Sequence, residues 1–262
     1  MSLLTSAPTN VNELREALRQ KVFAGWPDDD LLLDPKLAFE IKRDNLRLRA
    51  WDFISQHDVV LRLYLLDDAK AEAAETVSLT VLDPVSATNW LAEVLSLAGG
   101  HADLSQNLAG EFTIKNLPAA DSAQLELLKS KVLEKHAALA FFAPRGVGLT
   151  AWSGDQKQLT KLRRRFMLLG QTLDGMRVWD IRRAIQALHQ VRENDKAKVE
   201  LRADGAMAVN ALYAALYEPN ARKLDLTNLP KSQAEGPDYL NVLRVTDIPQ
   251  VLALMGDNVE SR

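Results

Sequence analysis

Apolar and polar positions along the chain predict alternating strands and helices after an antiparallel opening. Leu14, Leu18 and Val22 recur every four residues on one face, which predicts a helix over 11–23 with Asn10 or Asn12 at its cap and Gly25 beyond its end. The acidic, turn-prone run 26–30 follows. Residues 46–51 alternate strictly, the period of a half-buried strand. A turn over 55–58 then leads into a second strand over 59–66, so the two make an antiparallel hairpin. Beyond the Ala- and Glu-rich connection 67–75, the segment 77–82 reads as a strand buried on both faces and 87–97 as a helix.

The alternation then continues. Helices are predicted over 122–135, over 157–191 as one broken or two consecutive helices, over 206–217 and near 249–255. Strands are predicted over 137–142, 199–203 and 223–226, with a loop through 230–237 and a short strand or helix at 239–245. Such a rhythm belongs to a parallel sheet with crossover helices. With the antiparallel opening it predicts an α/β fold: an α/β-hydrolase-like mixed, mostly parallel sheet with an antiparallel N-terminal hairpin and flanking helices, rather than a doubly wound nucleotide fold. No repeat or low-complexity linker divides it. Residues 1–262 are therefore expected to form one domain, with 1–35 as N-terminal helix and lead-in and 99–117 as a surface excursion.

Charge and composition narrow the chemistry. The 32 basic and 35 acidic residues are dispersed and leave a formal charge of −3, so no field recruits nucleic acid or an anionic membrane, and neither is expected as a partner. The absence of cysteine removes disulfides, thiolate catalysis and Cys-ligated zinc. The histidines are isolated, without His-x-x-x-His or Glu-x-x-His spacing, so no metal site is expected. There is no run of eighteen apolar residues, and residues 1–8 lack a basic segment followed by an apolar one.

The strand over 137–142 runs into Ala143-Pro144-Arg145-Gly146-Val147-Gly148, where the glycines serve positive φ or close packing. Both dinucleotide and P-loop spacings are missing, and no cofactor is expected. Further on stands Gly175-Met176-Arg177-Val178-Trp179-Asp180. Val178, Ile181, Ile185 and Leu188 share a helical face, Arg177, Arg182 and Arg183 point elsewhere, and Asp180 is placed for a structural ion pair with a nearby arginine. From Phe141 to Met255 the chain resembles the acetyl xylan esterase-like group of the α/β-hydrolases. In that group a glycine-containing turn and a G-x-R-x-W-D helix precede the strand and sharp turn that carry the catalytic serine.

The resemblance implies a G-x-S-x-G elbow one element later. Ala203-Asp204-Gly205-Ala206-Met207 stands there instead, with Gly205 at the serine position, so the acyl-enzyme route is closed and the site reads as degenerate. Asp204 is expected to cap the following helix. A hydrolase triad also needs an acid and then a histidine downstream. All four histidines, His57, His101, His136 and His189, precede Gly205, and His189 is expected on a helix surface. Asp247 falls where the family's acid belongs, but Asp247-Ile248-Pro249 also reads as a helix cap with a first-turn proline. The resemblance places a last strand and histidine loop beyond Arg262. Arg163-Arg164-Arg165 reads as paired or solvated, and the five tryptophans as core anchors, with a sugar-stacking surface as the alternative.

The reading that follows is a noncatalytic α/β-hydrolase-like domain of an acetyl xylan esterase-like protein, acting in assembly or substrate presentation. Its expected partners are another hydrolase domain or subunit and a carbohydrate ligand. The alternative is an active carbohydrate esterase with a non-standard or shared nucleophile, for which Ser153 beside Trp152 is the candidate.

Overall fold

A computed structural model describes residues 8–28, 30–70, 74–98, 119–134, 137–152, 155–192 and 198–261. The elements are α1 (Val11–Lys21), β1 (Lys36–Arg43), β2 (Leu46–Gln56), β3 (Val59–Asp68), β4 (Thr76–Val81), α2 (Pro84–Leu97), α3 (Ser122–Leu133), β5 (Ala138–Phe142), α4 (Gln156–Leu168), α5 (Leu173–Val191), β6 (Lys198–Asp204), α6 (Gly205–Tyr217), β7 (Ala221–Thr227), α7 (Ile248–Met255) and β8 (Val259–Ser261). The strands form one eight-stranded sheet in the order β1-β2-β3-β5-β4-β6-β7-β8. Its first three strands and their junction with β5 are antiparallel, and everything from β5 to β8 is parallel. The expected mixed sheet with an antiparallel hairpin is therefore present.

Two strands lie outside the expectation. Phe39 and Ile41 alternate with polar residues in β1, and Asp44 and Asn45 turn the chain with φ of 51° and 67°, the conformation that tight hairpin turns require. That signal was in the sequence. β8 has only three residues, too few to show a period. The segment 239–245 is neither strand nor regular helix but holds a single 3-10 turn at Val242–Arg244. Helix α2 begins three residues before the expected start, because Asp83 caps it through a reciprocal pair with Ser86 and Pro84 occupies the first turn. The excursion expected at 99–117 lies outside the described residues.

Helices α5 and α6 pack on each other and on one face of the sheet, with α1 against α6. There the inward residues Val77, Leu79, Val199, Leu201, Leu224 and Leu226 are buried. Helices α2 and α3 lie over the opposite face, where the Trp90 ring stacks on Phe141 at 3.8 Å. Four of the five tryptophans act as expected, Trp26, Trp90 and Trp179 being buried and Trp51 half-buried. Trp152 differs, 38% exposed and lying where a side chain on Gly146 would meet it.

Helix α5 is buried nearly all round, so Arg182 and Arg183, which point away from the face of Val178 and Ile181, are buried as well. Arg182 is 6% exposed and sits 5.0 Å from the Trp26 ring, 5.2 Å from Trp179 and 4.9 Å from Tyr217, with its guanidinium 3.0 Å from Glu218. Asp180 is fully buried, and its carboxylate accepts from Ser55 Oγ at 2.6 Å and from the Arg145 backbone N–H at 3.0 Å. Arg145 also donates through Nε at 2.8 Å and Nη2 at 2.7 Å, while its Nη1 donates to Gln56. The structural ion pair expected of Asp180 is this one. Its partner is the arginine of the glycine turn, and that turn is built as the glycines implied. Gly146 and Gly148 have φ of 74° and 59°, and a Cβ on Gly146 would come within 2.2 Å of the Trp152 ring.

Removing one member of a buried, hydrogen-bonded ion pair leaves the other uncompensated, which costs about 3–5 kcal/mol. Asp180→Ala is therefore expected to lower the unfolding free energy by about that amount in urea titrations. The double variant Asp180→Leu with Arg145→Met is expected to lose less than Asp180→Ala alone, because no unpaired charge remains.

Candidate functional site

The connection from β4 moves to one side to form β5, and the next moves back across β4 to form β6, so the order reverses between β4 and β6. In open α/β sheets the crevice outside the carboxyl ends of the strands at such a reversal is where ligands bind. Here it is bounded by Leu82 and Asp83 after β4, by Asp204 and Gly205 at the β6–α6 junction, and by Thr227 and Asn228 after β7.

The β6–α6 junction is a sharp strand-to-helix turn. Gly205 opens α6 with φ of 54°, the left-handed region that favours glycine, and a Cβ built on it meets nothing within 4 Å. The backbone thus bends sharply at Gly205, and the space a Cβ would take is free. Glycine supplies no hydroxyl there.

Asp204 stands at the cap position, yet its side chain makes no capping hydrogen bond, contrary to expectation. Its Oδ1 instead accepts from Thr227 Oγ1 at 2.5 Å and Asn228 Nδ2 at 2.7 Å, clasping the ends of β6 and β7 together. Asn228 takes part from a left-handed conformation, with φ of 52°. Across the crevice, Asp83 is engaged in the cap of α2, accepting from the N–H groups of Val85 and Ser86 at 2.8 Å each. Its own N–H donates to Ser86 Oγ at 2.9 Å.

Asp247 caps α7, the second of the two roles open to it in the sequence. It accepts from Ser232 Oγ at 2.8 Å, Gln233 N–H at 2.6 Å and Ile248 N–H at 2.7 Å, with Gln250 completing a reciprocal cap. Burial acts to raise its carboxyl, but the hydrogen bonds from Gln233, Ser232 and Ile248 outweigh it and hold the group below the ordinary carboxylate range.

The hydroxyls of Ser55, Ser86, Ser130 and Ser232 point at the carboxylates of Asp180, Asp83, Glu134 and Asp247. The described histidines are remote from Gly205. His57 lies in the β2–β3 turn, exposed and 2.7 Å from Asp58. The order β3-β5-β4-β6 puts three strand spacings, roughly 14 Å, between that hairpin and β6. His189 is half-buried rather than on the surface, in the last turn of α5. It lies nine residues beyond Asp180, or about 14 Å along the helix, toward the edge where β6 begins. Ser153, His101 and His136 lie outside the described residues.

Arg163, Arg164 and Arg165 are exposed on α4, with Arg163 paired to Asp238, as expected of a solvated or paired cluster. Among the described residues no group of three or more His, Cys, Asp or Glu side chains is placed to hold a metal ion, and no helix is long and apolar enough to cross a membrane.

No protein-family model and no curated protein sequence matches this chain. Solved structures do. A protein described as an acetyl xylan esterase from Bacteroides fragilis superposes with a TM-score of 0.63 at 12% identity, over 99% of this chain and 70% of its own. A glucuronoyl esterase from Solibacter usitatus gives 0.63 at 14% identity, over 96% of this chain and 73% of its own. Acetyl xylan esterase 1 from a Thermoanaerobacterium species gives 0.51 at 11% identity, over 87% of this chain and 63% of its own. At such identities the likeness is one of fold: the chain is an α/β-hydrolase-like mixed, mostly parallel sheet with flanking helices, shaped like acetyl xylan and glucuronoyl esterases.

Proposed function

We propose that this chain is a noncatalytic α/β-hydrolase-like domain of a carbohydrate esterase-like protein, acting in assembly with another hydrolase domain or in presenting a carbohydrate substrate to it. One observation carries the reading. At the turn where an α/β-hydrolase exposes its nucleophile, the left-handed residue is Gly205, whose backbone is shaped for the task and whose side chain is absent. The surroundings support it. Two carboxylates at the ends of the strands that flank the crevice, Asp204 after β6 and Asp83 after β4, are engaged in closing strand and helix ends.

The isolated chain is expected to show no turnover of acetylated xylo-oligosaccharides, methyl glucuronate esters or p-nitrophenyl acetate above the uncatalysed rate. A serine-directed fluorophosphonate is expected to leave its mass unchanged. A stoichiometric adduct, mapped to Ser153 or any other serine, would replace this reading with that of an active esterase.

Gly205→Ser separates the missing nucleophile from the rest of the machinery. The open space accommodates the side chain, and the left-handed backbone costs about 1–2 kcal/mol in stability. The variant is expected to fold, with that loss visible in its urea midpoint, and to remain without esterase activity because no imidazole among the described residues faces the new hydroxyl. An acyl-enzyme burst from Gly205→Ser would show that only the nucleophile had been lost.

A further inference from the structure

Helix α4 meets the rest of the fold along one side only. Leu159, Leu162 and Phe166 share that side and are half-buried, and no residue of the helix is fully buried. Lys157, Lys161, Arg164, Arg165 and Leu168 lie three or four residues apart, so they share the outward stripe, and all five are exposed. No acid stands between Asp155, whose side chain caps the first turn, and Asp174. Arg163 is paired with Asp238, whereas among the described residues no carboxylate pairs with Lys157, Lys161, Arg164 or Arg165. The dispersed charge of the whole chain, from which no anionic partner was expected, conceals this local excess.

The stripe ends in an apolar run. Met167, Leu168 and Leu169 are 38%, 86% and 74% exposed, and Gly170 then turns the chain with φ of 72°. Trp152, itself 38% exposed, stands 6.4 Å from Phe166 and brings an indole to the same end of the helix. Three consecutive apolar side chains in water are a liability unless something covers them.

Charge and apolar tip together decide what that is. A soluble polyanion would neutralise the stripe and leave the leucines in water. A second copy would bring the same basic stripe to a two-fold contact, where like charges repel. An anionic bilayer supplies both complements at the right relative depth, with negative head groups at its surface and an acyl boundary just beneath. An indole suits the level between them.

We infer that α4 docks this chain on an anionic lipid surface, with Lys157, Lys161, Arg164 and Arg165 on the head groups and Leu168 and Leu169 inserted beneath them. The stripe shares no residue with the Asp204–Gly205 turn, so the inference stands whether or not that turn is catalytically silent.

Cosedimentation of the full chain with vesicles tests it, using phosphatidylcholine alone and phosphatidylcholine mixed with phosphatidylglycerol. Binding is expected to the mixed vesicles, at least about tenfold tighter than to the neutral ones, and to weaken as NaCl rises from about 0.1 to 1 M. Arg164→Glu with Arg165→Glu is expected to weaken it by about a hundredfold, and Leu168→Ser with Leu169→Ser by at least about tenfold. These side chains are exposed, so the urea midpoint is expected to stay where it was. Because the chain has no cysteine, Leu168→Cys carries a single environment-sensitive label, whose emission is expected to shift to the blue on the mixed vesicles alone. Four results would overturn the assignment. They are no binding to the mixed vesicles, equal binding to the neutral ones, binding that survives replacement of both leucines, and a dimer in light scattering that Leu168→Ser dissociates.

Discussion

The buried carboxylate of Asp180 holds together three parts of the chain that are distant in sequence. It takes one hydrogen bond from the end of β2, three from Arg145 in the turn after β5, and is itself carried on α5. An ionised carboxylate moved out of water is costly, and only a full set of charge-assisted donors offsets the loss. Trp179 beside it donates from its indole to the Ser55 carbonyl, and Arg177 donates to the Arg145 carbonyl, so the neighbouring backbone groups are matched as well. The turn after β5 could not sit in this place with an ordinary residue at 146, because Gly146 both takes a left-handed φ and lies beneath Trp152.

That clasp fixes backbone; it does not require chemistry. The same separation recurs at the β6–α6 turn, where Gly205 takes a left-handed bend and contributes backbone alone. The crevice at the strand-order reversal follows from topology alone, so it is present in any sheet wound this way. Reaction depends instead on side chains brought to that crevice. Here the carboxylates that reach it close strand ends and cap helices. Fold and activity are therefore different levels of evidence, and the likeness to esterases speaks to the first.

The alternation of buried strands with amphipathic helices was legible from the chain because each element repeats its period several times. β1 was legible too, through Phe39 and Ile41 followed by Asp44-Asn45, but Ala38, the register shift beside it and the half-exposed edge position dilute the apolar signal. The buried arginines of α5 were not. Little that is local distinguishes Arg182 in a cage of Trp26, Trp179 and Tyr217 from an arginine in water, since only Trp179 shares its helix while Trp26 and Tyr217 come from other segments. For the same reason Asp204 was expected to cap a helix. Its neighbour Gly205 and the following helix are visible in sequence, whereas Thr227 and Asn228 reach it only once β7 is laid beside β6.

The two faces of the sheet differ in polarity. On the α5/α6 side the residues of β6 and β7 are Val199, Leu201, Leu224 and Leu226, all buried under helices. On the other side the same strands carry Glu200, Arg202, Lys223 and Asp225, with Lys223 paired to Glu260 of β8 at 3.2 Å. Residues that alternate in this way along adjacent parallel strands build a sheet wet on one face, an arrangement more typical of antiparallel sheets. The α2/α3 cover is apolar where Trp90 meets Phe141, and the charged ladder begins at Arg202. Glu93, Ser78 and the Trp90 indole lie along that border, under the helices and beside the charged ladder.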